Sequence, residues 1–88
     1  MKIQPITDVR SHRTGTLRGI TVGEITEVLG FAPNCDDDPS KVVNSWGFSV
    51  NGHPCAIWDY KGSQRIGEFS TFGPADVFDE LFGARYFG

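Results

Sequence analysis

Trp58, Tyr60, Lys61 and Arg65 are the residues of this chain whose types and spacing best suit recognition. Trp58 and Tyr60 alternate onto one side of an extended run, beside the small residues Ser45, Gly47 and Ala56, so an aromatic pair stands over a small-residue floor. Such a hollow suits stacking of a base or nucleotide ring, with Lys61 and Arg65 near enough to hold phosphate. It suits a protein interface equally well, because Trp, Tyr and Arg are over-represented at hot spots. A third reading needs no ligand: the N-terminal segment covers that face and leaves the two aromatics as secondary core.

Catalytic constellations are weaker. His12 and His53 stand alone, and Ser63, Asp59 and His53 form a triad only under a geometry that their spacing does not supply. Gly15-Thr16-Leu17-Arg18-Gly19 lacks the Gly-Lys-Ser/Thr that holds phosphate and magnesium in a P-loop. Asn34, Asp36 and Asp38 match the first, third and fifth positions of an EF-hand. However, Pro39 replaces the glycine needed at the sixth, and Ser45 replaces the glutamate that closes the site at the twelfth. Cys35 and Cys55 are too few and too far apart for a zinc site or a redox pair. Cys55 reads as a buried thiol acting as a small hydrophobe, and Cys35, beside three aspartates that disfavour a thiolate, as a poor nucleophile. The chain therefore reads as non-enzymatic, with no catalytic residue, metal or cofactor. Asp59 falls on the core side of its strand, where a carboxylate requires a partner: a helix start, Lys61, Arg65 or the arginines near the N-terminus.

The element that must position these residues is a β-hairpin over residues 42–61. Asn51-Gly52 is the pair that accepts the positive φ angles of a type I′ turn, and two β-branched and aromatic runs flank it. With those two as the loop, Val50 faces His53, Phe48 faces Cys55 and Trp46 faces Ile57 on an apolar side. The other side carries Ser49, Gly47 and Ser45 against Pro54, Ala56 and Trp58. Thr21-Val22-Gly23-Glu24 is a capping box that starts a helix over Val22–Leu29, and Gly30 stops it. Gly73-Pro74 reads as the N-cap and first position of a second helix. Its apolar stripe is Ala75, Val77, Phe78, Leu81 and Phe82, and Gly83 ends it.

Arg65–Phe72 reads as a further strand, with Ile66 and Phe72 on one face and Phe69 on the other unless Gly67 marks a bulge. Residues 1–7 suit an edge strand, 8–19 a loop with residues 18–20 extended, and Pro39–Val42 a helical turn capped by Asp38. Tyr86 and Phe87 in the tail either fold back or hang free. The expected fold is α+β: a small antiparallel sheet of three or four strands built on the central hairpin, with two amphipathic helices packed on one face.

Eighty-eight residues make one domain, able to bury about 60 to 65% of its unfolded surface. No apolar run approaches the ~18 residues that suggest a membrane span, and MKIQPITDVRSHRTG lacks the apolar stretch of a secretory signal, so cytosolic residence is expected. Lys2, Arg10, Arg13 and Arg18 outweigh Asp8 in residues 1–20, whereas the remainder holds four basic and ten acidic residues. This basic arm, residues 1–18, is read as a solvated, flexible N-terminus, or as a segment that holds a polyanion or docks in a homodimer. A net charge of −3 without a long acidic run argues against DNA mimicry. The short basic segment has no interleaved aromatics, which argues against direct nucleic-acid binding.

GFAPN (30–34), SWGFSVNG (45–52), CAIWDYKGS (55–63), FSTFGP (69–74) and LFG (81–83) follow one another in an order that resembles small orphan proteins encoded by bacteriophages. In these, a helix ending in Phe-Gly or Leu-Gly plus proline precedes a Trp-containing strand, an Asn/Asp-Gly turn and a strand ending in an aromatic-Asp-aromatic-Lys pattern. The resemblance covers about residues 19–83 and transfers no functional residue; the basic arm and Cys35-Asp36-Asp37-Asp38 lie outside the pattern. It implies an accessory protein acting in an infected bacterial cell; the absent catalytic constellation and the Trp58/Tyr60 face add the expectation that it binds a host protein through that face, in the host cytoplasm, to redirect host physiology or block a defence. The alternative is a sponge for a nucleotide signal, alone or across a homodimer.

Overall fold

A computed structural model describes residues 2–7, 12–34, 42–60 and 63–87, and of residues 42, 43, 60 and 64 the backbone alone. The elements run β1 (Ile3–Pro5), β2 (Gly15–Arg18), α1 (Val22–Leu29), β3 (Val42–Val50), β4 (His53–Tyr60), a 3₁₀ turn (Ser63–Ile66), β5 (Glu68–Phe72) and α2 (Ala75–Phe82). The class is α+β, and the sheet has five strands rather than three or four, antiparallel throughout, in the order β1-β3-β4-β5-β2.

The hairpin β3–β4 has the register its turn dictates. Asn51 and Gly52 take φ of 51° and 85°, and Val50 pairs with His53, Phe48 with Cys55, Trp46 with Ile57 and Ser45 with Trp58. Alternation then puts Trp46, Phe48, Val50, Cys55, Ile57 and Phe69 on one face, all fully buried. Both helices lay their apolar stripes on that face, with Ile25 and Leu29 from α1 and Val77, Phe78 and Phe82 from α2 in the same cluster. Phe48 and Phe78 meet edge-on at 6.3 Å, and Trp46 and Phe69 at 6.0 Å.

α1 begins as the capping box requires, with Glu24 N donating to Thr21 Oγ1 and Thr21 N to Glu24 Oε1, both at 3.1 Å. Gly30 closes it by donating to the Thr26 carbonyl. In α2 the N-cap is Pro74 and the first helical residue Ala75, one position later than the proline rule suggests, because Pro74 is still extended, at φ −61° and ψ 132°. Gly73 takes φ 135°, and a Cβ there would lie 2.8 Å from Cys55 Sγ, so the chain leaves β5 where only glycine fits.

Two departures concern short segments, and a third segment takes one of its two expected courses. Residues 65–72 are not one strand: Ser63–Ile66 winds into a 3₁₀ turn that leaves Ile66 74% exposed, and β5 starts only at Glu68 with Phe69 inward. Gly15–Arg18, expected as loop, is a strand paired with Thr71–Glu68. The tail folds back: Arg18 N donates to the Tyr86 carbonyl, Leu17 bridges Phe87, and the Phe87 ring stacks on Phe78 at 5.4 Å. The expected Cys35-Asp-Asp-Asp loop and helical turn fall outside the described residues, apart from Val42, which is the first residue of β3.

β1 and β2 are neighbours in sequence yet occupy opposite edges of the sheet. The connection between them must cross four strand spacings, about 19 Å. Of that connection, His12 lies on the side away from the helices, its ring 5.3 Å from Phe72. No helix among the described residues is long and apolar enough to cross a membrane.

Candidate functional site

The outer face of the sheet is built by the residues that alternate with the core set. Trp58 on β4 is flanked by Ser45 on β3 and Ser70 on β5, its cross-strand partners. Glu68 lies one pleat further along β5, opposite Arg18 of β2, and its carboxylate is 3.8 Å from the Arg18 guanidinium. Between Trp58 and β5 lies an open hollow of about 310 Å³ lined by Arg13, Trp58, Ser63, Glu68 and Ser70. Arg13 reaches it on the segment that crosses the sheet, and Ser63 from the 3₁₀ turn, where its hydroxyl donates to the Glu68 carbonyl at 2.6 Å.

Part of the outer face is closed. Asn34, just after α1, acts as a side-chain rung on the edge of β3 where β1 runs out. Its Oδ1 accepts from Gly47 N at 2.8 Å, and its Nδ2 donates to the carbonyls of Gly47 at 3.0 Å and Ile6 at 3.1 Å. Its backbone N–H donates to the Ser45 carbonyl. The outer-face residues Ser45, Gly47 and Ala56 are buried and the His12 ring lies on Phe72, so the β3 side and the Phe72 end are closed. The Trp58 side stays accessible, and Trp58 is half-buried.

Of the residues expected to bind, Trp58 walls the hollow. Arg65 is exposed on the 3₁₀ turn, two residues from Ser63 and outside the lining. Tyr60 ends β4, with its backbone opposite Val42, but its side chain lies outside the described residues, as does all of Lys61. The hollow opens toward β5 rather than over the Ser45–Gly47 floor, because β5 supplies small or polar outward residues beside Trp58. Sequence reasoning missed Arg13, Ser63, Glu68 and Ser70 as lining. Ser70 and Glu68 follow from strand parity once Phe69 is known to face inward, whereas Arg13 follows only from the path of the crossing segment.

The polar groups proposed for a triad are not brought together. His53 and Asp59 lie six residues apart on one strand, about 20 Å, and Asp59 is fully buried on the core side. The Asp59 carboxylate accepts from Asn44 N at 2.7 Å and Asn44 Nδ2 at 2.9 Å, where the β3–β4 register shifts between Val42 and Ser45. Among the described residues its partner is Asn44 across the hairpin, and the pair holds the bulge. Burial pushes the Cys55 thiol up to about 11, and its Sγ lies 3.5 Å from the His53 carbonyl. Set against known proteins, the chain matches no family model, and neither a curated protein nor a solved structure is significantly similar to it.

Proposed function

We propose that this chain is a non-enzymatic bacteriophage accessory protein that binds a host protein through the outer face of its sheet, in the host cytoplasm, to modulate host physiology or block a defence. The observation that supports this is the accessible hollow of about 310 Å³ walled by Trp58. Beside it, the 3₁₀ turn presents Arg65 and the 74% exposed Ile66. An aromatic wall, an arginine and an exposed aliphatic side chain on one surface are the composition of an interface centre. The other reading, a nucleotide-signal sponge using Trp58, Tyr60, Lys61 and Arg65, alone or as a homodimer, has less support. Of the residues that reading invokes, Trp58 alone lines the hollow among the described residues.

The test is affinity capture from bacterial lysate on immobilised wild-type chain and on Trp58→Ala, with the fold of each checked by circular dichroism. A host protein retained by the wild type should be lost from the folded variant. Equal retention by both rejects the reading.

A further inference from the structure

We infer that the hollow beside Trp58 receives an acidic segment of a protein partner, one that inserts an apolar or aromatic side chain against the indole. This deepens the binding reading above and rests on it. Charge is segregated across the sheet. The helical layer carries exposed Glu24, Glu27, Asp76, Asp79 and Glu80, with Arg85 exposed in the tail beyond α2, whereas among the described residues the opposite side carries Arg13 on the hollow and Arg18 against Glu68, and the adjoining 3₁₀ turn carries exposed Arg65. Glu68 is already beside Arg18, at 3.8 Å, so the charge left to an incoming group is that of Arg13 on the lining and Arg65 on the adjoining turn. A chain of net charge −3 therefore shows a partner a locally positive face, the arrangement that steers a carboxylate-bearing surface and fixes its orientation. Guanidinium groups pair with carboxylates through two parallel hydrogen bonds, which favours Asp and Glu over a bare apolar ligand. A single-stranded nucleic acid fits less well. Among the described residues the lining holds one aromatic rather than a row for successive bases, and a long polyanion would also meet the acidic helical layer.

The experiment titrates the full chain with a fluorescein-labelled peptide of glutamates around one phenylalanine, followed by anisotropy at low salt. The arms are the same peptide with lysine for glutamate, the glutamate peptide without phenylalanine, and an oligothymidylate. The acidic phenylalanine peptide should bind, with Arg13→Glu and Arg65→Glu each weakening it about fivefold and added salt weakening it further. Trp58→Ala, or loss of the phenylalanine, should weaken it about tenfold or more. Tighter binding of the lysine peptide or of the oligothymidylate, charge reversals without effect, or no binding of the acidic peptide would each overturn the inference. The binding reading fails separately: if lysate capture depends on Trp58 but is unmoved by Arg13→Glu and Arg65→Glu, the partner is real and its acidic character is wrong. If capture ignores Trp58, both fall.

Discussion

Asn34→Asp is the most informative single change in the fold, because it alters two atoms of one rung and nothing of its shape. The wild-type amide accepts from Gly47 N and donates to the Ile6 and Gly47 carbonyls at 3.1 and 3.0 Å. A carboxylate keeps the first bond and turns the other two into contacts between oxygens. Each lost bond is worth about 1 kcal/mol, and the repulsion adds to it, so a loss of about 2 to 4 kcal/mol at pH 7 is expected. That is a large part of the stability of a small domain. The sign with pH distinguishes this from a general loss of packing. The new carboxyl, once protonated, can donate again to one carbonyl, so its folded pKa lies above the unfolded value near ~3.9. The destabilisation is therefore smallest below that value and grows to its full size as pH rises through the folded pKa. Asn34→Ala, which removes all three bonds, should be destabilised by about 2 to 3 kcal/mol at both pH values. Urea unfolding followed by tryptophan fluorescence at pH 7 and pH 4 measures both variants. With a slope of about 1 kcal/mol per molar, the Asn34→Asp midpoint should fall by at least about 2 M at pH 7 and partly recover at pH 4. An Asp variant within about 0.5 kcal/mol of wild type at pH 7, or a deficit independent of pH, would refute the rung.

Other outcomes follow from the same coordinates. Burial raises the Cys55 thiol from 9.0 to about 11, so the folded state favours the protonated form. Stability should then decline as pH rises from about 9 to 11, by up to about 3 kcal/mol. Cys55→Ala should lack that component in parallel urea titrations. Gly73→Ala places a methyl 2.8 Å from Cys55 Sγ and 3.2 Å from the Phe78 ring at a φ of 135°, and should lose about 2 to 4 kcal/mol. Removing the sulfur with Cys55→Ala in the same chain should recover part of that loss, read as a positive deviation in a double-mutant cycle. Ile66→Asp should change thermal stability by less than about 0.5 kcal/mol, because Ile66 is 74% exposed, whereas Phe69→Ala should cost about 3 to 5 kcal/mol.

The hairpin and α1 are legible in the sequence because their determinants are local. Asn51-Gly52 sets the turn and the turn sets every cross-strand pair, while Thr21 and Glu24 satisfy each other within a single turn of helix. β2 is hidden for the opposite reason. Gly-Thr-Leu-Arg offers one inward apolar side chain, Leu17, and its extended form depends on Glu68–Thr71 and on the tail bridge at Phe87. Ile66 misleads because alternation treats it as a strand residue, although Gly67 turns the chain before β5 begins. The hollow is half legible: parity assigns Trp58 to the outer face, but Arg13 arrives there only because consecutive strands lie at opposite edges. Asn34 carries no sequence signal for its role, since a side chain standing in for a strand residue has no periodicity.

The placement of β2 also sets the order in which the protein can complete itself during synthesis. Gly15–Arg18 leaves the ribosome early, yet its ladder partner is β5 and its outer edge is closed by Tyr86 and Phe87. The hairpin and β1 can pair as they emerge, but β2 on the far edge must wait for β5, some fifty residues later in the chain. Pairing between residues so distant in sequence is slow compared with hairpin closure. The nascent chain therefore carries an unpaired strand until β5 has emerged, and the segment that follows α2 is the one that seals it.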